Sequence, residues 1–157
     1  MFLRSLVAFI ILPGVFALVL PPLIGAIDPW RHDVMPAGLT VMALGIFLLL
    51  WCVRDFNVSG KGTLAPWDPP KHLVIVGLYR HVRNPMYIGV LTLVAGWAIY
   101  LLSPVVAIYA LTLVLGFQIR VITNEEPWLA SKFGAEWSAY ASAVSRWCPR
   151  LSPWQGV

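Results

Sequence analysis

Four long apolar runs alternate with short polar segments along the chain. They cover residues 5–27, 37–53, 86–102 and 105–122. A helix rises about 1.5 Å per residue and the hydrocarbon core of a bilayer is about 30 Å thick, so each run is close to the length of a transmembrane helix. The pattern therefore predicts four transmembrane helices. Pro13, Pro21 and Pro22 are expected to kink the first, because proline lacks the backbone N–H that a helix uses.

The third and fourth runs are separated only by Ser103 and Pro104. A connection this short forces the two predicted helices to lie antiparallel, as a hairpin. The hairpin would bring the segment before the third run and the segment after the fourth run to the same face of the membrane.

An amphipathic helix is predicted for residues 128–147, after the fourth run. Large apolar side chains recur there at spacings of three and four: Leu129, Phe133, Trp137, Tyr140 and Val144. Such a stripe is typical of a helix that lies in the membrane interface. Gly134 is expected to bend this tail helix.

The composition agrees with a membrane protein. Hydrophobic residues make up 59% of the 157 residues and charged residues 11%, and the mean hydropathy is +0.78. A chain this short and this apolar is expected to form one domain, residues 1–157, of an all-α integral membrane protein. The first run is too long for a cleaved signal peptide, and no clear small-x-small cleavage site precedes Asp28.

The net charge of +4 follows the predicted topology. Ten of the eleven Lys and Arg residues fall on the side that holds both termini and the loop between the second and third runs, and only Arg31 falls on the other. The positive-inside rule therefore predicts cytoplasmic termini. The basic surplus indicates contact with anionic membrane lipids and not with nucleic acid.

Hydrogen-bonding residues are crowded in GLYRHVRNPMY, residues 77–87, just before the third run. A simple interpretation is that Arg80, His81 and Arg83 only set topology. That interpretation does not explain why the residues surround a helix start at Pro85, whose free N–H groups and positive dipole end suit a carboxylate.

A second polar segment, RVITNEE, closes the fourth run at residues 120–126. Thr123 and Glu126 have the spacing of a helix capping box, which accounts for Glu126 alone. Arg120 within an apolar run costs about 2.5 to 3.5 kcal/mol at mid-membrane and less near the interface, so it calls for an anionic partner or ligand. We therefore predict that residues 77–87 and 120–126 form one active site on the cytoplasmic face.

No metal site is predicted. Cys52 and Cys148 are single and far apart in the sequence, and His32 falls on the opposite side of the membrane from His72 and His81. Neither a disulfide framework nor a zinc site follows from such an arrangement.

Residues 71–150 resemble the isoprenylcysteine carboxyl methyltransferase family and its relatives among the phospholipid N-methyltransferases. The similarity rests on GLYRHVRNPMY, a short hairpin, the pair Glu125-Glu126, and the following FGAEWSAY. The resemblance implies a membrane enzyme that uses S-adenosyl-L-methionine, bound at the cytoplasmic side.

The resemblance also implies the roles of individual residues. Arg120 and Glu125 match the family's residues for the substrate and methyl transfer. Cofactor-binding positions are matched by Lys71, His72, Leu73, Val74, Tyr79, Asn84, Pro85, Met86, Tyr87 and Glu126.

Two positions depart from the family pattern. Asn84 replaces a histidine, so a protonated ring is absent there. Arg120 lies five residues before Glu125, whereas the family's arginine is often one helical turn before its glutamate. The acceptor is expected to be lipophilic, because a site at the membrane surface suits an isoprenylcysteine-like carboxylate, a phospholipid amine or a small thiol. The oligomeric state stays open.

Two other functions remain compatible with the sequence. The tail and the R-x-P-x-Y element are also similar to membrane-bound sterol and steroid reductases, which use NADPH. A tetraspan protein without catalytic activity, in which the charges only set topology, is the other alternative.

Overall fold

The structure is a computed structural model that describes residues 10–60 and 72–156. These residues contain five α-helices. They are α1 (Leu20–Ile27), α2 (Ala37–Asp55), α3 (Pro85–Tyr100), α4 (Pro104–Arg120) and α5 (Glu126–Ala143). Shorter elements connect them: π-helical stretches at Ile10–Val19, Phe56–Gly60 and Val121–Glu125, and a 3-10 helix at Gly77–Arg80. No strand is present in these residues, so the predicted all-α class is confirmed for them.

The helices follow the predicted apolar runs closely. Two helical segments, Ala37–Asp55 and Pro104–Ala143, are long and apolar enough to cross a membrane, judged by length and composition. α3 has 16 residues and so extends only about 24 Å, which is shorter than the hydrocarbon core. The count of four spans therefore stays a prediction.

The first apolar run changes helix type at its prolines. Residues 5–9 lie outside the described part, and the run then forms a π-helical stretch followed by α1, with proline in the first turn of α1. Proline is tolerated there because the N–H groups of a first turn have no partner within the helix. The prolines were predicted to kink the first helix, and the structure shows a change from π-helix to α-helix in this run.

α2 and α3 make the most extensive helix contact, and glycines bring them close together. A Cβ atom added at Gly45 would lie 2.6 Å from the backbone nitrogen of Leu93, and one at Gly96 would lie 2.7 Å from that of Met42. Backbones approach this closely only where side chains are absent, as at many helix contacts in membranes. The resulting core contains Leu49, Val90, Leu93, Val94 and Val106.

The predicted hairpin is confirmed, and its turn is fixed by side chains. Ser103 Oγ accepts a hydrogen bond from the backbone N–H of Val106 (3.1 Å) and caps α4. The buried Asp28 carboxylate accepts hydrogen bonds from the hydroxyl of Ser103 and, at 3.3 Å, from the backbone N–H of Val105. Asp28 thereby joins the end of α1 to the closed end of the hairpin.

α5 starts two residues before the predicted tail helix and ends four residues before it, and it is interrupted at Gly134, where φ is +50°. The predicted bend at this glycine is confirmed. The apolar stripe packs inside the protein: Trp137, Tyr140 and Val144 are buried against Leu73 and Ile75. Whether α5 lies in the membrane interface stays a prediction.

Residues 73–76 run between two packed layers. Leu73 and Ile75 contact the buried face of α5, whereas Val74 and Val76 contact a cluster with Cys52 and Tyr79. Alternating contacts of this kind are expected for extended backbone, in which successive side chains point to opposite sides. The segment thus links α5 to the end of α2.

Candidate active site

Three side chains from different elements meet where α3 begins and α4 ends. The hydroxyl of Tyr87 donates a short hydrogen bond to Glu125 Oε1. Arg120 Nε donates to the same carboxylate oxygen at 2.8 Å and to the hydroxyl of Tyr87 at 3.1 Å. The side chain of Arg120 is 50% exposed and that of Glu125 is 32% exposed, so this cluster can be reached by a ligand.

A π-helical turn explains why Arg120 and Glu125 meet although they are five residues apart. The backbone N–H of Glu126 donates a hydrogen bond to the carbonyl of Val121, five residues earlier, whereas in an α-helix the acceptor lies four residues earlier. Pro127 follows directly and cannot donate to the carbonyl of Thr123, which an α-helix would require. The widened turn stacks residue 125 over residue 120 and forms the ion pair.

A second ion cluster lies beside the first and centres on Glu126. Arg146 binds this carboxylate through two bonds, Nε to Oε1 at 2.6 Å and Nη2 to Oε2 at 2.9 Å, and Arg83 Nη1 lies 3.1 Å from Oε1. Burial alone would raise the pKa of Glu126, but the bonds from Arg146 and the charge of Arg83 hold it below its ordinary value of 4.5. Glu126 is therefore expected to be ionised at neutral pH.

Arg83 belongs to the same cluster and is only 12% exposed. Its guanidinium lies over the ring of Trp137, 5.6 Å from the centroid, and burial lowers its pKa. Its Nε atom is buried and has no hydrogen-bond partner among the described residues.

The residues after α5, 144–156, return along the segment that precedes α3; we call them the C-terminal strap. The backbone N–H of Arg83 bonds to the carbonyl of Ser145, that of Arg150 bonds to the carbonyl of His81, and that of Trp154 bonds to the carbonyl of Arg80. Because the partner number falls as the residue number rises, the two segments run antiparallel.

Aromatic side chains surround Tyr87. The ring of Phe117 lies 4.4 Å from it and that of Trp147 lies 6.3 Å from it, measured between centroids. The indole N–H of Trp147 donates to Gln118 Oε1 at 2.6 Å. The aromatic rings give the cluster an apolar side beside its charged side.

The first turn of α3 has no side-chain cap among the described residues. Asn84 occupies the N-cap position but donates through Nδ2 to the carbonyl of Arg146 at 3.1 Å. The N–H groups of a first turn have no partner within the helix, and the positive end of the helix dipole lies there. This turn is therefore suited to an anionic group of a ligand.

The 3-10 helix at Gly77–Arg80 is held by buried side chains. The phenol of Tyr140 donates to the carbonyl of Tyr79 at 2.6 Å. Tyr79 is itself buried, and burial together with the adjacent Cys52 raises its pKa well above 10. A cavity of about 810 Å³ opens next to this helix, lined by Val76, Gly77 and other residues of this segment, α5 and the end of the chain.

Residues 34–136, about two thirds of the chain, match the model of the phospholipid methyltransferase family. The chain belongs to this family. The chain is similar to protein-S-isoprenylcysteine O-methyltransferase A of Arabidopsis thaliana, to which it is 35% identical over 77 residues. These residues are 49% of this chain and 39% of the relative, so the match spans about two fifths of that protein's length. No solved structure matches the chain.

The structure brings only part of the predicted site together. Tyr87, Arg120 and Glu125 form the first cluster, and Asn84 and Glu126 lie at the second. Pro85 is buried at the start of α3, and Met86 packs partly buried between two core clusters.

The remaining predicted cofactor residues lie further away along the chain. His72 is exposed, Leu73 packs against α5, and Val74 and Tyr79 are buried against Cys52. Lys71 lies outside the described residues. The roles of these positions therefore stay predictions.

Sequence reasoning gave no role in the site to Arg146, Trp147 or Gln118. It placed Arg83 inside the predicted active-site segment, residues 77–87, but assigned it no individual role. Arg146 and Trp147 follow the last apolar periodicity, where no pattern indicates what the chain contacts. Arg83 directly precedes Asn84 and Pro85, and this position inside the motif was the one signal that could have identified it. No group of three or more potential metal ligands is found in the described residues.

Replacing Gly77 by alanine is expected to weaken ligand binding. Its φ is +52°, and an added Cβ would overlap the buried carboxylate of Asp55 and lie 2.8 Å from Trp51 Nε1. The left-handed conformation alone costs roughly 1–2 kcal/mol for a residue with a Cβ. The overlap should further displace the 3-10 helix, and calorimetric titration with S-adenosylhomocysteine measures the loss of affinity.

Gly134→Ala is the matched control, because Gly134 also has a positive φ but open space around it. It should lower stability with little change in affinity. Equal affinities for the two variants would contradict a role of the Asp55 contact in shaping the site.

Proposed function

We propose that this methyltransferase transfers a methyl group from S-adenosyl-L-methionine to a lipophilic acceptor at the cytoplasmic face of a membrane. The observation that carries the proposal is the cluster of Tyr87, Arg120 and Glu125, which joins three elements at one end of the α3–α4 hairpin. Membership of the phospholipid methyltransferase family favours this function over an NADPH-dependent reductase and over a protein without catalytic activity.

The residues present suit the charged groups of the cofactor. The uncapped first turn of α3, with Asn84, can hold a carboxylate. Glu125 uses only Oε1 for its bonds to Tyr87 and Arg120, and among the described residues Oε2 has no partner that could compete with an ammonium group. When bound, S-adenosyl-L-methionine supplies an electrophilic methyl group on a sulfonium.

The remaining cofactor assignments belong to the same proposal, with one revision. Leu73 packs against α5, and Val74 and Tyr79 pack against Cys52, so these residues can shape the site only through packing. The cavity beside Gly77 has the size of a small-molecule site and is lined by their neighbours Ile75, Val76 and Gly77. Both oxygens of Glu126 are already bonded to arginines. This favours a role for Glu126 in shaping the site over direct binding of the cofactor.

Arg120 and Glu125 suit the acceptor end of the reaction. The half-exposed guanidinium of Arg120 can pair with an anionic acceptor such as a carboxylate. Glu125 can remove a proton from an amine acceptor. Alignment of donor and acceptor is expected to supply most of the acceleration, since in-line methyl transfer needs no metal.

The exposed surface of α4 supports a site in a membrane. Ile108, Leu111, Leu115 and Ile119 each leave more than 60% of their surface uncovered. An apolar face of this size on one helix is suited to lipid. An acceptor with an isoprenyl or acyl chain could then reach Arg120 along the same side of the helix.

Calorimetric titration of the detergent-purified protein tests the proposal. S-adenosylhomocysteine and S-adenosylmethionine should bind saturably, and NADPH should not. Tyr87→Phe removes the hydroxyl that bridges Glu125 and Arg120 but keeps the ring, and should weaken binding roughly tenfold, in line with the loss of a hydrogen bond to a charged group. Tyr100→Phe, at the other end of α3, is the matched control and should bind as the wild type does.

The outcomes separate the alternatives. Binding of NADPH alone would favour a reductase. If none of the three compounds binds, the charged residues around Glu125 and Glu126 would only set the topology of the protein. Once cofactor binding is measured, transfer of a radiolabelled methyl group to a prenylcysteine, a phosphatidylethanolamine or a thiol distinguishes the three acceptor classes.

A further inference from the structure

Three consecutive residues of the C-terminal strap contact residues that lie in, or directly beside, the three elements that carry the candidate active site. Ser145 accepts the backbone N–H of Arg83, just before α3. Arg146 binds Glu126 at the start of α5, and Trp147 binds Gln118 near the end of α4. The strap lies beyond the residues that match the family model, which end at 136.

The contacts of Arg146 join the turn that carries Glu125 to the start of α3. Its side chain binds both oxygens of Glu126, the neighbour of Glu125, and its carbonyl oxygen accepts from Asn84, three residues before Tyr87. Arg83 reaches the same carboxylate from the other side. A two-bond guanidinium–carboxylate pair fixes orientation as well as distance.

Trp147 makes the corresponding link to α4. Its indole N–H bonds to Gln118, two residues before Arg120, and its ring lies 6.3 Å from the ring of Tyr87. Gln118 is itself part of an otherwise apolar helix, where a polar side chain needs a partner. The bond therefore fixes the last turn of α4 against the strap.

We propose that Arg146 and Trp147 are positioning residues that hold Tyr87, Arg120 and Glu125 in the geometry required for methyl transfer. The inference rests on the proposed function. It gives the two residues no contact with the reacting atoms. Their effect is transmitted through Glu126 and Gln118, because a misplacement of about 1 Å in a reacting geometry can cost roughly a hundredfold in rate.

The test compares Arg146→Gln and Trp147→Phe with Arg150→Gln in the full-length protein. Arg150 is the matched control. Among the described residues, its side chain hydrogen-bonds to Ala143 and Ser152, and its contact with His81 uses the backbone, which the substitution keeps. The measurements are kcat per binding-competent site, counted by titration with S-adenosylhomocysteine, KM for the methyl donor, and backbone hydrogen exchange in residues 83–88 and 120–126.

Arg146→Gln is expected to lower kcat roughly 10- to 100-fold with less than about a threefold change in KM, and to speed hydrogen exchange in both segments. Trp147→Phe should act mainly through residues 120–126. Arg146→Lys, which keeps the charge but not the two-bond geometry, should recover part of the rate. Arg150→Gln should match the wild type.

Two results would overturn the inference: unchanged kcat per site in Arg146→Gln, or an equal loss in Arg150→Gln, which would indicate general destabilisation of the strap. Absence of methyl transfer by the wild type to any acceptor class would instead contradict the proposed function. In that case, the hydrogen-exchange rates of residues 83–88 and 120–126 would show by themselves whether the strap orders these segments.

Discussion

Replacing Glu125 by glutamine is expected to produce the largest loss of activity, and the size of the loss should depend on the acceptor. Glutamine keeps the shape of the side chain and can still accept a hydrogen bond from Tyr87, but it removes the charge that pairs with Arg120. With an amine acceptor it also removes the proposed base, and such a loss typically costs 10² to 10⁴ in rate.

With a carboxylate or thiolate acceptor, no proton has to be removed in the transfer step. The loss should then be nearer tenfold, because a saturating methyl donor compensates for the weaker contact with its ammonium group and the alignment of Arg120 is what remains disturbed. Initial rates with a prenylcysteine and with a phosphatidylethanolamine, measured at saturating methyl donor, give the comparison. Asp33→Asn removes the same charge from an exposed side chain in the loop between α1 and α2 and should keep the wild-type rate. Full activity of Glu125→Gln with every acceptor would remove Glu125 from the proposed mechanism.

Gly45→Leu is expected to produce the largest loss of stability. A Cβ at Gly45 would lie 2.6 Å from the nitrogen and 2.8 Å from the Cα of Leu93, and backbone atoms cannot rotate away as a side chain can. The added leucine must therefore force α2 and α3 apart. Overpacking a tight contact typically lowers the free energy of unfolding by about 1–3 kcal/mol. We expect a loss at or above the upper end of this range, because the overlap is with backbone atoms.

A loss of about 3 kcal/mol corresponds to a lowering of Tm by roughly 6–12 °C for a chain of this length. Thermal unfolding in detergent measures it. Gly116→Leu is the matched control, since no atom lies within 4 Å of a Cβ at Gly116 and leucine has the better helix propensity. If the two variants have the same Tm, the close approach of the backbones does not stabilise the contact between α2 and α3.

The larger features of the fold could be predicted because each has a local signal. Long apolar runs indicated the helices, and the two residues Ser103 and Pro104 indicated the hairpin. Once the hairpin was in place, the two polar segments had to lie near each other. The meeting of Tyr87, Arg120 and Glu125 was thus accessible from the sequence and is confirmed as geometry, whereas its catalytic role stays a prediction.

The finer geometry could not be predicted, because it depends on hydrogen-bond register and on contacts between distant residues. The spacing of five residues from Arg120 to Glu125 argues against a shared face in an α-helix, and only the π-helical turn before Pro127 reverses that conclusion. The strap has no apolar periodicity, so nothing local showed that Arg146 would bind Glu126. The resemblance assigned both Leu73 and Val74 to cofactor binding, but extended backbone directs their side chains to opposite layers.

In the proposed function, the position of the π-helical turn sets the depth in the bilayer at which the methyl group is transferred. α4 has 17 residues and rises about 25 Å from the hairpin turn. In the proposed orientation, the π-helical turn at its other end therefore lies close to the level of the lipid head groups. An acceptor anchored in the same leaflet presents its reactive group at this height and finds the enzyme by diffusion in two dimensions. The rate should therefore follow the mole fraction of acceptor in the lipid, and diluting the acceptor with inert lipid should slow the reaction even when its bulk concentration is constant.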